Sequence, residues 1–115
     1  IGTPADGFYA LKVFKETGGA SDDVTDDEIR EGIKLLAETE GIFSETAGGV
    51  TVGVAKKLIA SGAIPADDSA VLCITGNGLK TLDAVENHAG RTRNISPSLR
   101  EFDALLDRDK TLTAK

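Results

Sequence analysis

Apolar positions recur along this chain at three- and four-residue spacing in four stretches and run without interruption in a fifth. The first stripe, Phe8, Leu11 and Phe14, predicts a helix from about Ala5 to Thr17, led in by the turn signal Gly2-Thr3-Pro4-Ala5-Asp6 and stopped by Gly18-Gly19. Ala20 to Val24 is short enough for a strand. Thr25 with Glu28 reads as a capping box, and the helix it opens sets Ile29, Ile33 and Leu36 on one face with Arg30, Glu31, Lys34 and Glu38 outward until Gly41. After the apolar pair Ile42-Phe43, Ser44-Glu45-Thr46-Ala47-Gly48-Gly49 leads into a third helix carrying Val50, Val54 and Leu58. Adjacent glycines are costly there, so Gly48 and Gly49 imply the close approach of another backbone or of a ligand. Ser61-Gly62 and a turn from Pro65 to Asp68 precede Ala70-Val71-Leu72-Cys73-Ile74, the uninterrupted run, which predicts a central strand covered on both faces. Beyond it Thr81 is placed to cap a short helix to about Glu86, Gly90 to Asn94 is connector, and Ser96-Pro97 opens a last helix with Leu99, Phe102 and Leu106 inward.

This order has one or two strands among four or five helices, too few for an independent α/β sheet. With 115 residues the chain is long enough for one compact domain. The expectation is therefore a sheet completed either by strands upstream of Ile1 or by another chain. A first residue of Ile rather than Met reads as a processed or cut product. No internal repeat or low-complexity segment interrupts the pattern.

Charge narrows the classes of partner. Thirteen basic against nineteen acidic residues leave a net charge of −6, and no Lys/Arg cluster stands among aromatics, which argues against nucleic acid. Lys12 and Lys15, Lys56 and Lys57, and Arg91 and Arg93 read as solvated or connector charges. Cys73, the one thiol, sits in the apolar run with no second cysteine, which predicts a buried, inert side chain in a reducing compartment. His88 stands alone among polar residues, reads as solvated surface, and suggests no metal site. No apolar run approaches the length of a secretory signal or a membrane span.

Two segments carry candidate chemistry. Thr75-Gly76-Asn77-Gly78-Leu79-Lys80 leaves the carboxyl end of the predicted strand, where ligands of open α/β sheets bind, and its glycines let a ligand approach the backbone. The spacing is neither that of a Walker A loop nor that of the dinucleotide fingerprint. Ser44-Glu45-Thr46-Ala47-Gly48-Gly49 offers a carboxylate and two hydroxyls at a helix start, where capping is the better reading of the segment by itself. A single histidine allows no Ser/His/Asp or Cys/His set.

Three ordered segments, Ile1 to Lys12, Glu38 to Thr51 and Cys73 to Lys80, resemble the carboxyl-terminal part of threonine synthase, a pyridoxal-phosphate enzyme of the tryptophan-synthase-β-like fold. The resemblance spans roughly residues 1 to 86, and Thr-Gly-x-Gly-Leu-Lys is its most specific element. It implies an α/β fold, a partial three-layer αβα cofactor domain of fold type II. Residues 1–115 would be the carboxyl-terminal part of the large cofactor-binding domain, with 1–86 as the core match and 87–115 as connector and terminal helix. Thr75 then matches the threonine that hydrogen-bonds the pyridine nitrogen, Gly76 and Asn77 continue the wall beside the ring, and Glu45 corresponds to a carboxylate near the same end. Thr46 stands where the family commonly has Pro, and Thr3 where it has Asn or Asp.

The implied reaction is the lyase conversion of O-phosphohomoserine and water to threonine and phosphate. The Schiff-base lysine and the phosphate loop lie upstream in the family, so no catalytic residue is assigned in this chain, which by itself is expected to be inactive. The complete enzyme is expected to be a cytoplasmic homodimer with no metal, nucleic-acid or membrane partner. A serine/threonine dehydratase of the same fold, and a non-catalytic module binding a phosphorylated ligand at the turn, remain the alternatives.

Overall fold

Within residues 3–88 and 93–113, those the computed structural model describes, the chain forms α1 (Gly7–Thr17), α2 (Asp26–Glu40), α3 (Thr46–Ala60) and α4 (Leu99–Thr113), with a 3₁₀ turn at Gly78–Ala84. Gly2, Arg91 and the first part of the Gly90 to Asn94 connector lie outside the described residues.

The start of α2 is built as its sequence specifies. Glu28 N–H donates to Thr25 Oγ1 at 3.3 Å, and Thr25 N–H donates to Glu28 Oε2 at 2.7 Å, which completes the capping box. The second carboxylate oxygen of Glu28 meets Lys57 Nζ at 3.0 Å, and Lys57 also donates to the Asp23 carbonyl at 2.9 Å, so one carboxylate fastens α2 to α3. Gly41 ends α2 at φ 68°, a left-handed conformation that glycine adopts without steric cost.

The Thr25 backbone N–H, and after it the Lys57 ammonium, hold the Glu28 carboxyl below its ordinary value of 4.5. A carboxyl depressed in the folded state contributes stability that is complete above its unfolded value and is lost as pH falls through its folded one. We expect helix content followed in acid titrations to decline below pH 4.5 with a component that Glu28→Gln removes.

Helices α2 and α3 pack on each other through small residues. A Cβ built on Gly32 would lie 2.5 Å from the Gly49 carbonyl oxygen, and one on Gly49 would strike the Ile29 carbonyl oxygen and come within 2.9 Å of Ile33 Cγ1. Of the glycine pair at the start of α3, Gly49 is thus explained by the α2 backbone, and Gly48 by the Ser44 side chain, whose Cβ would lie 2.6 Å from an added Cβ. Ile33, Leu36, Val52, Ala55 and Val85 form the buried apolar core. Val50, Val54 and Leu58 lie on the other side of α3, along an open groove of about 340 Å³ shared with Phe14, Ile64 and Leu72. A helix apolar on two faces is one that expects cover on both.

Several expectations fail for want of that cover. Neither Ala20–Val24 nor Ala70–Ile74 is a strand among the described residues, where the only bridge pairs Ser44 with Asn77 in antiparallel sense. A strand needs a neighbouring row of N–H and C=O groups, and the 70–74 run finds none here: Val71 is 90% exposed and Cys73 is exposed rather than buried. Phe8, Leu11 and Phe14 are exposed on α1, and Leu99, Phe102 and Leu106 face outward on α4, not inward. Helix α4 begins two residues after Pro97: Phe102 N–H bonds the Ser98 carbonyl, while the Ser96 N–H and hydroxyl both donate to Glu101.

The radius of gyration is 19.0 Å, against about 13 Å for a compact chain of this length. Accessible surface is 9304 Å², where a compact monomer of the same mass exposes roughly 6,000 Å².

Candidate functional site

The Thr75–Lys80 turn is held against the start of α3 by backbone pairing. Glu45 N–H donates to the Gly76 carbonyl at 3.0 Å, and Gly78 N–H donates to the Phe43 carbonyl at 2.9 Å, on either side of the Ser44–Asn77 bridge. The two segments that carry candidate chemistry are therefore one site. Sequence spacing gives no sign of this.

The turn is closed from within. Asn77 Oδ1 accepts from Leu79 N–H at 2.9 Å, and Lys80 N–H donates to the Asn77 carbonyl at 3.2 Å. The Asn77 side chain thereby shapes the turn. Thr75 is exposed, and its hydroxyl has no partner among the described residues.

Glu45 occupies the N-cap position of α3, yet its side chain makes no cap hydrogen bond. Thr81 does that work from 35 positions away, its Oγ1 accepting from Thr46 N–H at 3.2 Å. This corrects two expectations together: Thr81 caps α3 rather than its own helix, and Glu45 is released from capping. Thr81 itself has φ −137° and ψ 46°, a break within the 3₁₀ segment that turns its side chain to this use.

So released, the Glu45 side chain lies across Gly76. A Cβ on Gly76 would lie 2.7 Å from Glu45 Cγ and collide with the carboxylate. Lys80 Nζ meets Glu45 Oε2 at 2.8 Å, with 15% of the glutamate side chain exposed and 65% of the lysine's. Beneath this layer Ser44 is 1% exposed, and its hydroxyl, packed against Gly48, has no hydrogen-bond partner among the described residues. Gly78 leaves room for the Phe43 ring, whose nearest atoms would lie 2.5 Å from a Cβ. Sequence reasoning had Lys80 only as the end of the turn and gave Thr81 to its own helix, because their partners, Glu45 and Thr46, are remote in the chain. His88 is exposed, as expected. No group of three or more potential metal ligands occurs among the described residues. No helix among them is long and apolar enough to cross a membrane.

A family model described as pyridoxal-phosphate dependent enzyme matches residues 1–76. The chain belongs to this family. The match takes in Glu45, Thr75 and Gly76 and ends before Asn77. Curated relatives similar to this chain include several named threonine synthase. That of Halalkalibacterium halodurans is 39% identical over 112 residues, 96% of this chain and 30% of the relative. That of Methanocaldococcus jannaschii is 44% identical over 84 residues, 73% of this chain and 21% of the relative. That of Synechocystis is 38% identical over 102 residues, 86% of this chain and 26% of the relative. The chain spans less than a third of the length of the curated relatives it matches. Pyridoxal phosphate is the cofactor of the family.

Proposed function

We propose that this chain is the carboxyl-terminal part of a threonine synthase, the part that meets the pyridine-nitrogen side of pyridoxal phosphate. The carrying observation is that Thr75, the first residue of the turn, presents an exposed hydroxyl without a partner beside a carboxylate laid over Gly76. A hydroxyl donates to a neutral ring nitrogen without protonating it, and so suits that position. The donor set therefore fits the cofactor at this end.

Thr75 would hold the ring nitrogen, the side-chain-free face of Gly76 and the Asn77 turn would line the ring's edge, and Glu45 would fix the charge beside them. When bound, pyridoxal phosphate supplies an electron sink for carbanion chemistry. The anchoring lysine and the phosphate loop belong to the rest of the enzyme in this reading. So do the other strands of the three-layer αβα sheet, with 70–74 as the strand they pair. The uncovered faces of α1, α3 and α4 and the expanded radius of gyration support a chain built to be completed. The substrate is O-phosphohomoserine, the products are threonine and phosphate, and the complete enzyme is a homodimer.

The test is to assay the complete protein and residues 1–115 separately for phosphate release and threonine formation from O-phosphohomoserine with pyridoxal phosphate. The complete protein is expected to form both products in equal amounts and the isolated chain neither. Deamination of serine or threonine by the complete protein, with no phosphate released from O-phosphohomoserine, would mean a dehydratase instead.

A further inference from the structure

We infer that Lys80 is a positioning residue of the cofactor site, acting through Glu45. The inference rests on the functional reading above and adds to it a residue that neither the family match, which ends at Gly76, nor the turn's own spacing assigns.

Glu45 sits at a helix start, where the helix dipole favours a carboxylate, but its side chain makes no cap hydrogen bond. Thr81 has taken that role, so nothing in α3 holds the Glu45 carboxylate. Lys80 does, at 2.8 Å, from the far end of the turn that Thr75 begins. Its backbone is fixed in turn by the Asn77 carbonyl at 3.2 Å. Turn and clamp are therefore one device: the loop that presents the Thr75 hydroxyl returns after Asn77 to pin the carboxylate over Gly76. The pair is asymmetric, with the carboxylate largely covered and the ammonium largely in solvent. Exposed pairs contribute little to folding. What Lys80 decides is where the carboxylate lies, and with it the charge next to Thr75.

The experiment uses the complete protein with Lys80→Gln, Lys80→Arg, Glu45→Gln and the double variant Glu45→Gln/Lys80→Gln. Pyridoxal 5′-phosphate is titrated into each apoprotein, the absorption spectrum of the loaded protein is recorded, and the apoprotein melting temperature is measured alongside. Lys80→Gln is expected to weaken binding about tenfold, the scale of a lost hydrogen bond to a charged group, and to shift the absorption band while the melting temperature stays put. Lys80→Arg restores both, and Lys80→Gln adds nothing in the Glu45→Gln background. Uptake by Lys80→Gln with unchanged affinity and spectrum overturns the inference alone, as does a loss accompanied by a lowered melting temperature that Lys80→Arg fails to restore. Failure of the unsubstituted protein to take up pyridoxal phosphate overturns the functional reading and this inference with it.

Discussion

Replacing Gly49 by alanine is expected to destabilise the protein by about 2 kcal/mol or more, even though alanine is the better helix former. In an open helix the exchange would stabilise by about 1 kcal/mol. Here the added methyl meets the carbonyl oxygen of Ile29 and lies 2.9 Å from Ile33 Cγ1. The first obstacle is backbone, so no rotamer change relieves it, and α2 must retreat from α3 along the contact that holds Ile33, Leu36, Val52 and Ala55. Overpacking of this kind costs about 1–3 kcal/mol, and more where backbones must shift. A urea titration of the complete protein, followed by far-ultraviolet circular dichroism, reads the effect as a fall in midpoint at unchanged slope. Gly53→Ala is the internal comparison. Its methyl would come 2.9 Å from Val24 Cγ1, a side-chain atom that can move, and its loss should be clearly smaller. Equal midpoints for Gly49→Ala and the unsubstituted protein would mean that the helices are farther apart than described.

Gly76→Ala should separate function from stability in the opposite way. Its methyl would occupy the space of the Glu45 carboxylate, but that carboxylate ends a flexible side chain and can swing into solvent. Stability should therefore change by less than about 1 kcal/mol, the range of substitutions that surface groups absorb. The carboxylate would leave Gly76, the Lys80 pair would open, and a methyl would stand beside Thr75, where the proposed function places the cofactor ring. Misplacing a site by about 1 Å can cost on the order of 100-fold in turnover, and under the proposed function a loss of this size in threonine formation is the expected result. Turnover within about twofold of the unsubstituted protein, well short of that effect, would remove Gly76 and Glu45 from the site.

The sequence reading succeeded where a few neighbouring residues decide the outcome. Thr25 and Glu28 close a capping box within one turn of helix, and Gly41 stops α2 because the left-handed conformation suits glycine. Ile33 and Leu36 face inward, as their spacing predicts. The reading erred where burial was taken from apolarity alone. Cys73, Val71, Leu99, Phe102 and Leu106 carry the pattern of covered residues, yet they stand exposed, with no described element packed over them. An apolar run specifies that it be buried and leaves open against what.

By itself, then, the sequence determined the helices, the capping box and stop of α2, the demand for close approach at Gly48 and Gly49, and the place of the Thr75–Lys80 turn. Each of these is written in residues within a turn or two of one another. Only the tertiary structure decided that the approaching backbone is α2, that Thr81 caps α3 from 35 positions away, and that Glu45, released from capping, lies across Gly76 in the grip of Lys80. These are contacts between segments remote in the chain. The physical reason they stay hidden is that a carboxylate at a helix start satisfies local rules equally well as a cap or as a site group, and the difference is made by whichever distant side chain reaches the helix end first.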